Sequence, residues 1–319
     1  MIYTITLNPA IDHIILFNDS ISLAATNYYD KDYQVVGGKG INVGIILKNL
    51  DVDVQVTGIM GTENKDIFIN KFNEINLNTN FFFNQGKTRV NYKIKHLKTK
   101  QETELNGYGF IIEKEVLHNF FNYLNTHLTQ NDIVVISGSV AKGFSNDIYQ
   151  KIGILVNEKK ALLICDAAGE LLHEVLKEKP FLIKPNLEEV FKTLKKDYIK
   201  NISFFELKNL IEQLKKIGAR NVLLSMGQEG SYFFKESGEI YKISSAQGVL
   251  INSVGAGDSM VAGFVYGISK KFITKKTLRY AAAAGSATAF NEWLASKEEI
   301  EVLVEQIKVK KIEGENLWI

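Results

Sequence analysis

Residues 252–264 read NSVGAGDSMVAGF, with Gly255, Ala256 and Gly257 directly before Asp258. An apolar helical period, Val261, Phe264, Val265 and Ile268, follows at once. Small residues opening a helix leave backbone N–H groups at the positive end of a dipole, an arrangement that attracts phosphate. A carboxylate beside a phosphate should repel it. As an N-cap, Asp258 would contribute about 1 kcal/mol, which explains the aspartate but not Gly-Ala-Gly. Phosphoryl transfer explains both. The N–H groups would stabilise charge growing on the transferred group while the carboxylate takes the proton of the attacking hydroxyl.

Three further stretches carry polar groups at spacings that suit such a site. VVGGKGINVGIILKNL (35–50) is a glycine-rich loop feeding an amphipathic helix that begins near Gly40. It is not a Walker A loop, and its third glycine, Gly44, comes one position late for a dinucleotide fingerprint, which disfavours an oxidoreductase. Lys39 and Asn42 on its first turn can donate to hydroxyls or phosphate, or the stretch is a tight turn with a solvated lysine. SMGQEGSYFF (225–234) reads as a hairpin whose Gly227 and Gly230 either make the turn or let a nucleotide lie against the backbone. In KPNLEEVF (184–191), Asn186 and Glu189 form a capping-box pair. The same two would face a crevice mouth where a Mg²⁺ shell needs oxygen ligands and waters.

The elements that must position these residues alternate between strand and helix. Strands are expected at 3–7, 52–59, 132–139, 161–167, 181–185 and 221–227, several of them continuously apolar, as in sheets covered on both faces. Helical periods lie between them, and residues 257–270, 274–290 and 297–309 read as helices. The alternation predicts a mostly parallel sheet with helices on both sides. Ligands of such sheets bind beyond the carboxyl ends of the strands, and here those ends carry Ser137-Gly138-Ser139, Asp166-Ala167-Ala168-Gly169, Lys184-Pro185-Asn186 and Ser225-Met226-Gly227. Two regions, about 13–36 and 88–109, instead alternate like half-exposed strands and predict a small sheet standing off the main one as a lid or oligomer contact. The 1–319 chain reads as a single α/β domain with that appendage.

Composition narrows the function classes. Lys+Arg 38 against Asp+Glu 36 gives a net charge of +2, so no global field argues for nucleic acid or membrane. The single cysteine, Cys165, lies in the apolar run ALLICDA, where a buried, inert thiol is expected, and the five histidines show no ligand spacing. The N-terminus lacks the basic region of a signal peptide, and no apolar run approaches the roughly 20 residues of a membrane span, so a cytoplasmic protein is expected. Only three arginines occur, Arg89, Arg220 and Arg279. In so lysine-rich a chain, each suggests a place that needs a planar two-pronged donor.

GGKGIN (37–42) together with NSVGAGDSMVAGF resembles the ribokinase-like carbohydrate kinases of the phosphofructokinase-B type. TLNPAID (6–12), TRVNYKIK (88–95), ETELNGYG (102–109), SGSVAKG (137–143), LIKPNLEE (182–189) and GSATAFN (285–291) sharpen the likeness to the branch of 1-phosphofructokinases and tagatose-6-phosphate kinases, essentially end to end. The resemblance implies a three-layer α/β/α sandwich with a β-sheet lid, often a dimer clasp, and the use of ATP with Mg²⁺ to phosphorylate a ketose phosphate. In that scheme Asp258 is the catalytic base, and Gly255, Ala256 and Gly257 form the anion hole. Asp12, Gly38, Lys39, Asn42 and Arg89 hold the sugar phosphate, with Ser139 and Lys142 beside them. Lys184, Asn186, Ser225, Gly227, Gly230 and Asn291 border ATP, and Glu189 organises Mg²⁺ through water. The implied partners are ATP and a phosphorylated ketohexose, with a homodimer formed through the lid. The chain departs from the broader pattern at Asn252, where Asp is frequent, at Tyr28, where a cation is frequent, and at Ala168, where a hydroxyl is usual. ETELNG favours fructose 1-phosphate over tagatose 6-phosphate as acceptor, and a non-catalytic sugar-phosphate or nucleotide sensor is a further alternative on the same fold.

Overall fold

The structure, a computed structural model, describes residues 1–19, 21–99 and 101–312. Its main sheet runs Val309–Lys311, Ile240–Ile243, Ser231–Phe234, Asn221–Ser225, Leu182–Ile183, Leu162–Asp166, Ile133–Ser137, Ile2–Thr6, Val54–Gly61, Thr79–Asn84. The seven strands from Asn221–Ser225 to Thr79–Asn84 are parallel, and the other three continue the sheet antiparallel.

Period-2 alternation sends successive side chains of each strand to opposite faces, and here both faces are apolar. Val135, Ile164, Leu182 and Leu223 face helices Lys39–Asn49, Ala256–Ser269 and Thr274–Ala289. Val134, Ile136, Leu163, Cys165, Val222 and Leu224 face helices Lys114–His127, Ile148–Glu158 and Phe204–Ile217. This is the three-layer sandwich that the continuous apolar runs predict. Cys165 is fully buried and free, and burial pushes its thiol well up, out of the reactive range.

The second sheet orders Lys31–Gly37, Ala10–Phe17, Arg89–His96, Glu102–Asn106, its two central strands parallel. Both expected lid regions contribute to it, the first from Ala10 onward.

One expectation fails locally. The helix expected over 297–309 ends at Val304, and Val309–Lys311 becomes an edge strand beside Ile240–Ile243. Ile300, Val304 and Ile307 keep a helical period and are buried against the core, and the open sheet edge claims Val309–Lys311. Thr79–Asn84 is an edge strand the sequence reading passed over. Among the described residues no helix is long and apolar enough to cross a membrane.

The first helix crosses the first strand at Gly40, where an added Cβ would stand 2.5 Å from the Ile5 carbonyl oxygen and 2.6 Å from Thr6 Oγ1. Gly40→Ala is therefore expected to lose about 1–3 kcal/mol of stability, as overpacking of a tight contact does. Thermal unfolding checks this, and an unchanged Tm would mean the backbone yields at no cost.

Candidate active site

Strand order reverses at the pair Ile2–Thr6 and Ile133–Ser137, the place where an open parallel sheet leaves a crevice outside its carboxyl ends. A cavity of about 900 Å³ lies along that edge. The lid borders it on one side and helix Ala256–Ser269 on the other. Asp12, Gly38, Lys39, Asn42, Arg89, Lys184, Asn186, Glu189, Ser225, Gly227 and Gly230 line it together with residues 255–258. Sequence positions more than 200 apart thus converge on one hollow.

At its centre Asp258 opens helix Ala256–Ser269 with only 5% of its surface exposed. Its Oδ2 accepts a hydrogen bond of 2.8 Å from Asn42 Nδ2. Gly255 caps the helix in the left-handed region, φ 81°, and an added Cβ would strike Leu294. The Ala256 N–H turns back to the Ser253 carbonyl at 3.3 Å. The N–H groups of Gly257 and Asp258, in the first turn, have no acceptor within the helix. The open donors therefore sit one residue further along than the Gly-Ala-Gly pattern suggests.

Two lysines flank this helix end, and one carboxylate holds both. Asp166 is fully buried. Its Oδ2 accepts a 3.2 Å hydrogen bond from Lys39 Nζ. Lys184 Nζ lies 3.3 Å from Oδ1, close enough to pair charges but not aligned as a hydrogen bond, so Oδ1 keeps no hydrogen-bond partner. Lys39 also lies 3.8 Å from Glu189 Oε1. Gly257 permits the close approach of Lys184, whose Nζ would be 3.2 Å from a Cβ there.

The electrostatics follow from burial and these pairs. Burial alone would raise the Asp166 carboxyl, but Lys184 and Lys39 outweigh it and hold it low. Burial alone would lower the Lys39 ammonium, but Asp166, Asp258 and Glu189 outweigh it and hold it high. For Asp258, burial and then the charge of Asp166 push the carboxyl up to about 6, against the opposing pull of Lys39, Asn42 and Lys184.

Of the arginines, only Arg89 reaches the cavity. Its Nη2 donates to the Asn8 carbonyl at 3.2 Å and its Nε to Pro9 at 3.4 Å, which fixes the guanidinium and uses two of its five N–H donors. Arg220 pairs with Glu236 through two 3.0 Å bonds at the surface. The Asn186–Glu189 capping box forms in full, Glu189 Oε2 accepting from the Asn186 N–H at 2.9 Å and Asn186 Oδ1 from the Glu189 N–H at 2.8 Å.

Three nominated residues fall outside the cavity wall. Asn291 stands just past helix Thr274–Ala289 and folds back to donate to the Ala287 carbonyl at 3.0 Å, capping the helix end instead of facing the crevice. Ser139 is exposed and accepts from Asn8 Nδ2 at 3.0 Å, one step behind Arg89. Lys142 places its ammonium 3.7 Å over the Tyr108 ring. The wall also includes residues the sequence reading did not nominate, Asn91 of the lid, residues 244–248, and Ala282, Gly285, Ser286 and Phe290. For the last group the alanine-rich run AAAAGSATAF was the available signal, since only small side chains leave a slot beside a helix.

The fold is shared with ribokinase-like structures. The crystal structure of phosphofructokinase-2 from Escherichia coli in complex with fructose-6-phosphate superposes with a TM-score of 0.85 at 20% identity, over 96% of this chain and 98% of that one. A crystal structure from Staphylococcus aureus matches at 34% identity with a TM-score of 0.83, over 99% and 100%. The profile described as pfkB family carbohydrate kinase matches residues 5–298, and the chain belongs to that family. The 1-phosphofructokinase of Bacillus subtilis (strain 168) is 37% identical over 98% of this chain and 100% of its own. The tagatose-6-phosphate kinase of Staphylococcus epidermidis is 31% identical over the same shares. The protein is an enzyme, a carbohydrate kinase.

A carboxyl whose pKa rises on folding adds stability while protonated and loses it as pH climbs through the folded value. Asp258, raised to about 6, therefore weighs against folding above that pH. Asp258→Asn is expected to stabilise the fold near pH 8 by on the order of 2–3 kcal/mol, and so to raise Tm there. The gain should shrink as pH falls through about 6 and vanish near the unfolded carboxyl value of about 4. Unfolding scans across that range test it, and a pH-independent gain would show that the charge of Asp258 is not the cause.

Proposed function

We propose that the protein transfers the γ-phosphoryl of ATP to fructose 1-phosphate, forming fructose 1,6-bisphosphate. The observation that carries this reading is the buried Asp258 carboxylate, pushed up to about 6, beside open N–H donors at the start of a long helix and two lysines. A general base works best with a pKa near the operating pH, and developing phosphoryl charge is best met by fixed donors in a site screened from water.

In this reading the C6 hydroxyl loses its proton to Asp258 as it attacks the γ-phosphorus, and the bond to the β-phosphate oxygen breaks. The N–H groups of Gly257 and Asp258, with Lys39 and Lys184, meet the charge on the transferred group. Asn42 holds the carboxylate by its other face. Arg89 presents its remaining N–H fork to the sugar's own phosphate, and Asp12 and Gly38 border the sugar. The apolar end of the cavity, at Ala282, Gly285 and Phe290, suits the base of the nucleotide, with Ser225, Gly227 and Gly230 along its phosphates.

Among the described residues no three His, Cys, Asp or Glu side chains converge as a metal cage. The carboxylates on the cavity wall, Glu189, Asp12 and Asp258, are hard oxygen donors, which suit Mg²⁺ carried on nucleotide phosphates, an ion that takes one or two carboxylates and completes its shell with waters. Glu189, on the cavity wall, would hold it through water, and Mg²⁺ there would neutralise phosphate charge. The exposed Tyr28, Tyr92 and Leu105 of the lid region are apolar surface that a second copy of the chain would cover in a homodimer.

The 31% identity to a tagatose-6-phosphate kinase supports the sister activity as the second reading, with the acceptor hydroxyl at C1. ADP release at saturating MgATP with each sugar phosphate in turn, fructose 6-phosphate included, separates them. A much higher kcat/KM for fructose 1-phosphate is expected, and no turnover with any of them would mean a different acceptor or a sensor.

Asp258→Asn is expected to keep ATP binding while kcat falls about 10²–10⁴-fold. In the unaltered enzyme kcat should fall as pH drops below about 6, since protonated Asp258 cannot accept. An undiminished rate in the variant would remove Asp258 as base. Arg89→Lys should chiefly raise KM for the sugar phosphate, because lysine offers a point charge and no fork, whereas a rise in KM for ATP alone would assign Arg89 to the other ligand.

A further inference from the structure

Lys93 is a buried lysine outside the machinery described so far. Its side chain is 8% exposed, and its Nζ lies 3.4 Å from Asp12 Oδ2 and 3.6 Å from Glu104 Oε1. Burying an ammonium is seldom favourable for stability, and a well-packed apolar side chain of the same length commonly serves as well or better. The charge must therefore matter for what it touches.

It touches Asp12. Register places Asp12 opposite Asn91, Asn91 opposite Asn106, and Lys93 opposite Glu104 on three adjacent lid strands. Register partners, and residues two apart along a strand, share one face of a sheet. On that face Asn91 Nδ2 donates to Asp12 Oδ1 at 2.9 Å, Lys93 faces the other carboxylate oxygen, and Asn106 Nδ2 donates to Glu104 Oε2 at 3.3 Å. A continuous polar chain thus runs from the edge strand of the lid to the one lid carboxylate that lines the main cavity. Lys93 itself borders only a small adjoining hollow, with Asp12 and Asn42. It would act on a substrate through Asp12.

We propose that Lys93 is a positioning residue for acceptor recognition. Pinned between Asp12 and Glu104, it holds the Asp12 carboxylate in one rotamer, so that a hydroxyl of the ketohexose phosphate is accepted in one orientation. Glu104 balances the ammonium and ties that orientation to the outer lid strand, which gives the ETELNG stretch a physical part in sugar choice. This rests on the reading of Asp12 as a sugar contact.

The test is steady-state kinetics of the full-length enzyme with whichever sugar phosphate it prefers, comparing Asp12→Asn, Lys93→Met and Lys93→Arg with the unaltered chain. Loss of a charge-assisted contact should raise KM for the sugar phosphate about tenfold or more in Asp12→Asn and Lys93→Met, while KM for ATP stays within about twofold. Lys93→Arg should recover most of the loss. If Asp12→Asn shows the effect and Lys93→Met does not, the proposal falls and the sugar-site reading stands. If Asp12→Asn leaves that KM unchanged, both fall. Equal rises for sugar and ATP in Lys93→Met, without rescue by arginine, would mean a purely structural lysine and overturn the proposal. Should Lys93→Met fail to fold, Glu104→Gln at the half-exposed end of the chain decides. A rise in the sugar KM of about threefold, with ATP unaffected, supports the proposal, as expected for a weaker, partly solvated pair, and no change overturns it.

Discussion

A carboxylate with no exposure to water, Asp166, sits between two lysines at the carboxyl end of the sheet, and the charges of the site are arranged around it. Without Asp166, Lys39 and Lys184 would be two like charges forced together under a helix end that is itself partly positive. With it, both line the cavity, and Lys184 comes close to Gly257 at the start of helix Ala256–Ser269. The same negative charge acts on Asp258, adding to burial in holding that carboxyl up. One group thus gathers the cations and adds to the basicity of its neighbouring acid. It can do so because strand Leu162–Asp166 ends inside the molecule, where the low dielectric makes each charge felt over several ångströms.

Much of this could be read from the chain because the backbone does most of the positioning. Continuous apolar strands announced a sheet covered on both faces, and the polar residues that end them fell where the switch in strand order opens the crevice. Gly255 and Asp258 were legible because a left-handed cap and a first-turn carboxylate are local matters. What escaped depended on contacts across the fold. Asn291 is a nucleotide contact only by the resemblance of GSATAFN, yet its side chain bonds the Ala287 carbonyl of the helix it follows. Asp166 could be placed in the crevice, but nothing local shows that two lysines from distant segments close on it. Lys93 looks like any solvated strand lysine until three strands are set in register. The end of helix Lys297–Val304 was misjudged for a related reason, since an open sheet edge a long way back in the chain decides where the helix stops.

The site also illustrates a conflict between stability and chemistry. A carboxyl pushed up to about 6 by burial is poorly placed for holding the fold together at neutral pH and well placed for accepting a proton. The rest of the molecule tolerates it because two extensive apolar layers flank the sheet, leaving a margin that a smaller domain would lack. Room is tight at glycines such as Gly40 and Gly255, where a side chain would collide with the neighbouring segment.

The hydrogen bond from Asn42 to Asp258 joins residues 216 positions apart, and that has a consequence during synthesis. When the first strand, the lid strands and helix Lys39–Asn49 leave the ribosome, the helix that completes their inner face is not yet made. At roughly 5–20 residues per second, an interval of some ten to forty seconds separates the two halves of the site. Through that interval the apolar side of helix Lys39–Asn49 waits for helix Ala256–Ser269, exposed or held by temporary contacts. Topologies that rely on such distant pairings fold slowly and aggregate readily from their intermediates. The nascent chain is most vulnerable, therefore, along the apolar face that will be buried between these two helices, and it stays so until the last fifth of the sequence arrives.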